Sequence, residues 1–231
     1  MTRLLMLVEG QSERAFVNTT LKKHLEGRGV YAEPTILLTS SSPSGAGHRG
    51  GVGNWEQIHG HLRKLMGSTG AWVTTMLDFY GLPRDFPGRD KILDTNDAYK
   101  NVEMLENSFA RAVCHERGHK HFIPFISLFE LEAWVFSSPE VVAKHFDCRS
   151  LTEKLRAVVR EAGSPELING GKDTHPKTRL IHMLKGQSIL YKPRVDGQAI
   201  LQKIGIPAIR AACPHFNAWL TRLESLGART D

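Results

Sequence analysis

The sequence predicts an α/β fold: a mostly parallel sheet flanked by helices, followed by a helical C-terminal extension. Short apolar runs at residues 3–8 and 71–77 have the length of buried strands. Strand and helix patterns alternate over the first 130 residues or so, which is typical of βαβ units with parallel pairing. Beyond Phe136 only helical patterns remain. We therefore expect a domain at residues 1–136 and a helical region at 137–231 packed on it.

The individual elements follow from apolar spacing and from residues that stop or start helices. Further strands are expected at residues 30–38 and 121–128, and Pro34 favours an edge position for the first of these. Ser12 is a possible cap for the first helix, and Ser150 begins a capping-box pattern. Further helices are expected at 55–66, 96–117, 129–136, 177–184 and 214–226.

Composition and charge narrow the class of protein. With 41% hydrophobic and 23% charged residues, the chain of 231 residues is typical of a globular protein. It has no apolar run near the ~20 residues that a membrane span needs. Three scattered cysteines do not form a disulfide framework, so we expect a reduced, cytoplasmic protein without a membrane association. The formal net charge of +6 permits a phosphate-rich partner such as nucleic acid.

Acidic residues follow three of the predicted strands. Glu9 ends the first, Asp78 ends the third, and the pair Glu130 and Glu132 follows the fourth. The carboxyl ends of parallel strands meet at one edge of a sheet, where ligands bind in open α/β folds. Carboxylate oxygens suit Mg²⁺ or Mn²⁺, and such ions support phosphodiester hydrolysis. Glu130 and Glu132 are two residues apart, so on a helix only one would face this site.

Several neighbouring residues have two interpretations. Glu13, one turn after Glu9, either supports the site or is an acid favoured in the first turn of a helix. Four basic residues in turn-rich segments are candidates for phosphate contact, or otherwise belong to solvated surfaces: Arg49, Lys172, Lys177 and Arg179.

Several segments carry a family resemblance. Val8-Glu9-Gly10-Gln11-Ser12-Glu13 resembles the opening of TOPRIM domains, the metal-binding α/β module of topoisomerases, primases and overcoming-lysogenisation-defect nucleases. Together with Asp78-Phe79-Tyr80-Gly81-Leu82-Pro83, Phe129-Glu130-Leu131-Glu132 and Cys213-Pro214-His215-Phe216, it is similar to a bacterial family of TOPRIM-like proteins over nearly the whole chain.

The resemblance implies a fold, an activity and a partner. It implies a TOPRIM-like nuclease using Mg²⁺ or Mn²⁺. The carboxylate pattern and the resemblance together predict Glu9, Asp78 and Glu130 as catalytic residues and metal ligands, and Glu132 as a further metal ligand. The resemblance also implies pairing with an ABC-type ATPase in an antiviral defence system. The chain departs from the TOPRIM pattern at Tyr80, where a second Asp is usual, so a ligand is missing or comes from Asp85 or Glu130.

Two alternatives stay open at this stage. The departure at Tyr80 is also compatible with a catalytically inactive scaffold that binds an ATPase. His115-Glu116-Arg117-Gly118-His119 matches the H-E-x-x-H pattern of zinc peptidases. Gly118 and a strand predicted from His121 argue against that motif lying on a rigid helix, so the zinc interpretation is the weaker one.

Overall fold

The computed structural model describes residues 1–37, 53–68, 70–92, 97–115, 120–168 and 175–228. Five strands are present in these ranges: β1 (Thr2–Val8), β2 (Val30–Ile36), β3 (Trp72–Asp78), β4 (Phe122–Ile123) and β5 (Ile126–Ser127). The helices between β1 and β4 are α1 (Gln11–Phe16), α2 (Lys22–Glu26), α3 (Trp55–Met66) and α4 (Ala98–His115). A π-helical turn, Val17–Leu21, joins α1 to α2.

The described residues of the C-terminal part form helices joined by turns and contain no strand. A 3₁₀ segment, Leu131–Ser137, is followed by α5 (Pro139–His145), α6 (Leu151–Ala162), α7 (Pro176–Lys185), α8 (Gln198–Ala212) and α9 (Pro214–Glu224). Within the described ranges, no helix is both long and apolar enough to cross a membrane.

The strands form a parallel sheet in the order β2-β1-β3-β4, and β5 also pairs with β3. Val8 aligns with Met76 in the register of β1 and β3, so both strands end at the same edge. β2 lies at the side of the sheet, as Pro34 predicted, because proline cannot donate to a second neighbouring strand. These features confirm the predicted α/β class with a parallel sheet and a helical C-terminal region.

The fourth predicted strand is wrong as a continuous element. Residues 121–128 form two short strands because Pro124 lacks an N–H group and interrupts the pairing. Thr75 bridges the gap: its Oγ1 accepts the Phe125 N–H at 2.9 Å and donates to the Phe125 carbonyl oxygen at 2.8 Å. The side chain thus replaces the missing ladder bonds, and the chain continues into β5.

The sheet has helices on both faces because the side chains of β1 alternate. Leu4, Met6 and Val8 pack in a core with α1, α2 and the C-terminal helices α8 and α9. Leu5 and Leu7 pack in a second core with α3 and α4 on the other face. The C-terminal region therefore covers one face of the sheet, and the division at residue 136 stays a prediction.

Neither of the two predicted capping serines forms a side-chain cap, although Ser150 is the N-cap residue of α6. Ser12 lies within α1, whose N-cap is Gly10, so its hydroxyl does not begin the helix. Ser150 precedes α6, but its backbone is already helical and its Oγ donates to Oε1 of Gln187 at 3.0 Å. The Ser150 hydroxyl thus has a tertiary partner in place of the predicted cap.

Candidate functional site

The ends of β1 and β3 bring Glu9 and Asp78 into contact. The Glu9 N–H donates to the Met76 carbonyl oxygen at 3.1 Å, which continues the sheet to the residue after β1. The Asp78 N–H then donates to Oε2 of Glu9 at 2.9 Å. The two acids therefore lie side by side at the carboxyl edge of the sheet.

Asp78 lies where several negative charges meet. Its Oδ1 is buried, and no described residue gives it a hydrogen-bond partner. Burial raises the pKa of Asp78 well above its ordinary value of 3.8, and four negative neighbours raise it further: Glu9, Glu13, Glu132 and Glu130. A carboxylate with an unsatisfied buried oxygen and acidic neighbours needs a proton or a cation.

Glu13 belongs to the same cluster. Its side chain points back to the start of α1, where hydrogen bonds from the backbone N–H groups of Glu13 and Gly10 lower its pKa. Burial outweighs them and, with the charges of Glu9 and Glu132, raises the pKa of Glu13 to about 7. Only 7% of Glu13 is exposed, so it is part of the buried acidic group and not a solvated helix acid.

Glu130 and Glu132 have different surroundings. Oε2 of Glu130 accepts the Lys177 N–H at 3.1 Å, and Nδ1 of His175 lies 3.1 Å from its Oε1. Glu130 therefore holds the start of α7. Burial raises the pKa of Glu132, and Nζ of Lys177 lies 3.9 Å from its Oε1. Of the two, Glu132 is the one whose charge acts on both Asp78 and Glu13.

The predicted basic residues are not all at this edge. Lys177 lies beside Glu132, whereas Arg179 lines a cavity against α6 together with Val158 and Glu161. Arg49 and Lys172 lie outside the described residues.

Two further predictions concern the H-E-x-x-H motif and Asp85, which was a possible replacement for the metal ligand missing at Tyr80. Glu116 and His119 lie outside the described residues, so the zinc interpretation stays untested. The Asp85 carboxylate accepts the Trp55 N–H at the start of α3, at 3.0 Å. Asp85 therefore anchors α3, and it is not among the acids whose charges act on Asp78.

The turn after β3 closely approaches the acids. A Cβ atom at Gly81 would lie 2.6 Å from each carboxylate oxygen of Glu9, so any side chain there would displace the Glu9 carboxylate. Tyr80, the residue in place of a second Asp, has 49% of its surface exposed.

The sequence did not single out Ser127, which aligns with Asp78 in the sheet and whose buried Oγ has no described partner. Its position after the interruption at Pro124 concealed that alignment.

The donor set suits a hard divalent ion. The carboxylates of Asp78 and its four acidic neighbours, Glu9, Glu13, Glu130 and Glu132, provide only oxygen atoms, as Mg²⁺ and Mn²⁺ prefer. In the described part of the chain, no three His, Cys, Asp or Glu side chains already stand in positions that would hold a metal ion. Binding would therefore require these side chains to move towards the ion. The unpartnered Oδ1 of Asp78 is available to such an ion, and its positive charge would relieve the repulsion between the acids.

Comparisons with known proteins identify a family and no activity. No curated protein and no solved structure matches the chain. The family model described as a domain of unknown function, DUF4276, matches residues 8–224. Since this match covers nearly the whole chain, the protein belongs to the DUF4276 family.

Proposed function

We propose that the protein is a divalent-metal-dependent nuclease of the TOPRIM type. The observation that carries the proposal is the buried acidic group of Glu9, Glu13, Asp78 and Glu132, in which Oδ1 of Asp78 has no described partner. Among the described residues, no lysine or arginine forms an ion pair with Glu9, Glu13 or Asp78. Such a concentration of buried negative charge is costly unless protons or a cation neutralise it, and a divalent cation would do so with the acids ionised.

The side chains divide the work in this proposal. Glu9, Asp78 and Glu132 would hold Mg²⁺ or Mn²⁺, and Glu9 would alternatively act as the general base. When bound, the ion would lower the pKa of water and neutralise charge on a phosphate. Glu130 fixes the start of α7, and that anchoring places Lys177 beside the site, where its ammonium group can contact a phosphate.

A cleavage assay tests the proposal. The full chain is incubated with plasmid, single-stranded DNA and tRNA in Mg²⁺ or Mn²⁺, with and without the protein encoded next to it. We expect metal-dependent cleavage that Glu9→Ala and Asp78→Ala abolish. Glu103→Ala, which removes an exposed acid from α4, is the matched control and should behave as wild type. Cleavage that persists in both site variants would refute the assignment.

Control by an ABC-type ATPase in antiviral defence is part of the proposal and depends on the TOPRIM resemblance. Activity that appears only with the neighbouring protein would support it.

An inactive scaffold is the second candidate, and two observations favour it. Tyr80 replaces an expected metal ligand, and the described acids do not yet form a coordination shell. A scaffold would bind the ATPase equally well in wild type, Glu9→Ala and Asp78→Ala, and Mn²⁺ would not raise its melting temperature. A metal-induced rise that the two variants lose would instead favour the nuclease.

A further inference from the structure

An exposed aromatic ring lies at the rim of the acidic group. Tyr80 follows Asp78 by two residues, in the 3₁₀ turn Phe79–Gly81, and 49% of its surface is exposed. Among the described residues, the only other comparably exposed aromatic side chain is Tyr31, at 38%. Tyr31 aligns with Arg3 near the amino ends of the strands, at the opposite edge of the sheet.

The Tyr80 ring is supported from beneath. It stacks on Phe129, with centroids 5.2 Å apart and an angle of 29° between the rings, and it meets Phe79 edge-on at 5.9 Å. Phe79 and Phe129 also contact each other, with centroids 6.1 Å apart. We call these three rings the aromatic platform. Only 6% of Phe129 is exposed, so the most accessible ring of the platform is that of Tyr80.

Both ends of the aromatic platform adjoin the acids. Two residues of chain span at most ~7 Å, so Tyr80 is within that distance of Asp78 from one Cα atom to the other. Phe129 immediately precedes Glu130, and its φ of 66° is unusual for a phenylalanine. The turn that carries Tyr80 also brings Gly81 against the carboxylate of Glu9.

We infer that the aromatic platform stacks on an unpaired nucleobase next to the phosphate held at the acidic group, so that the substrate is single-stranded nucleic acid. This inference rests on the proposed nuclease function and specifies its substrate class. Bases in a duplex already stack on one another, whereas an unpaired base offers its face to an aromatic side chain irrespective of sequence. A single accessible ring is much smaller than a protein interface, which argues against a protein occupant.

A binding experiment on the full chain tests the inference. Fluorescence anisotropy follows a labelled single-stranded oligothymidylate, a duplex of equal length and a single strand with abasic sites, all with Ca²⁺ present. We expect Tyr80→Ala to weaken single-strand binding about 5- to 150-fold, as is usual for loss of a stacking ring. Tyr80→Phe and Tyr80→Trp should retain binding. The abasic strand should bind weakly and be indifferent to Tyr80→Ala, and Tyr31→Ala serves as the exposed-tyrosine control.

The outcomes separate this inference from the proposed function. If Glu9→Ala and Asp78→Ala abolish cleavage but Tyr80→Ala leaves single-strand binding unchanged, the nuclease stands and the stacking role is overturned. An equal loss of affinity for duplex and single strand also overturns it, because losing a ring that stacks only on unpaired bases would leave duplex binding unchanged. If Tyr80→Ala releases a co-purifying protein and leaves oligonucleotide binding unchanged, the ring docks a protein and the inference is overturned. If no nucleic acid binds wild type, both conclusions fall.

Discussion

Replacing Glu13 with glutamine should stabilise the metal-free protein at pH 8. The pKa of Glu13 is about 7 in the folded chain, against an ordinary value of 4.5. Above pH 7 the folded protein therefore holds a buried charge that the unfolded chain exposes to water. At 1.36 kcal/mol for each pH unit, the difference between 4.5 and about 7 corresponds to about 3 kcal/mol. The glutamine side chain has no charge, and its amide oxygen can still accept the N–H groups that Glu13 accepts.

The pH dependence of the free energy of unfolding follows from the protons bound at Glu13 in the folded and unfolded states. Between pH 4.5 and about 7 the folded state binds more protons at Glu13 than the unfolded state does, so this residue lowers stability progressively as the pH rises. Glu13→Gln should therefore match wild type near pH 4.5 and exceed it by up to about 3 kcal/mol at pH 8. For a chain of this size, that gain corresponds to a melting temperature about 6–12 °C higher.

Urea denaturation in EDTA across this pH range measures the effect, with Glu103→Gln on the exposed surface of α4 as the control. Saturating Mg²⁺ should narrow the difference in free energy of unfolding between Glu13→Gln and wild type, because a bound cation offsets the charge that glutamine removes. A variant that is equally altered at both ends of the pH range, or less stable than wild type at pH 8, would refute the reasoning.

Three further changes test the site and its support. Glu166→Ala should lower the free energy of unfolding in urea by about 2–3 kcal/mol, because its buried carboxylate accepts the two N–H groups at the start of α9, each at 2.9 Å; an unchanged midpoint would contradict this. Gly81→Ala should weaken Mn²⁺ binding in calorimetry about 10- to 100-fold by displacing Glu9, while Gly60→Ala, which has open space around it, should not. Lys177→Met should weaken oligonucleotide binding and reduce the slope of its salt dependence by about 1; an identical slope would exclude a phosphate contact.

Local patterns in the sequence were sufficient for the two central strands of the sheet, β1 and β3. The apolar runs at the start of the chain and before Asp78 correspond to β1 and β3. The predicted runs differ from the observed strands by about one residue at their ends, since β1 begins at Thr2 and β3 extends to Asp78. The acids after these runs could likewise be identified, because a parallel sheet places consecutive strand ends at one edge.

Tertiary contacts decided which acids interact and how strongly. The sequence could not separate Glu130 from Glu132, because the choice depends on α7, some 45 residues later, which donates its Lys177 N–H to Glu130. It also could not place Glu13 within the buried group, since a first-turn acid has the same local sequence whether it is solvated or covered. Burial, which dominates the pKa of Asp78, Glu9 and Glu13, is a property of the packed chain.

The sequence by itself thus determined the α/β class, the parallel direction of the strands, which follows from the alternation of strand and helix patterns, and the acids at the strand ends. Only the tertiary structure decided the break at Pro124, the alignment of Ser127 with Asp78, and the support of Tyr80 by Phe129. The physical reason is range: hydrophobic periodicity and chain stiffness act over a few residues. Register, burial and ring stacking depend on segments far apart in the chain that meet only when the core is packed.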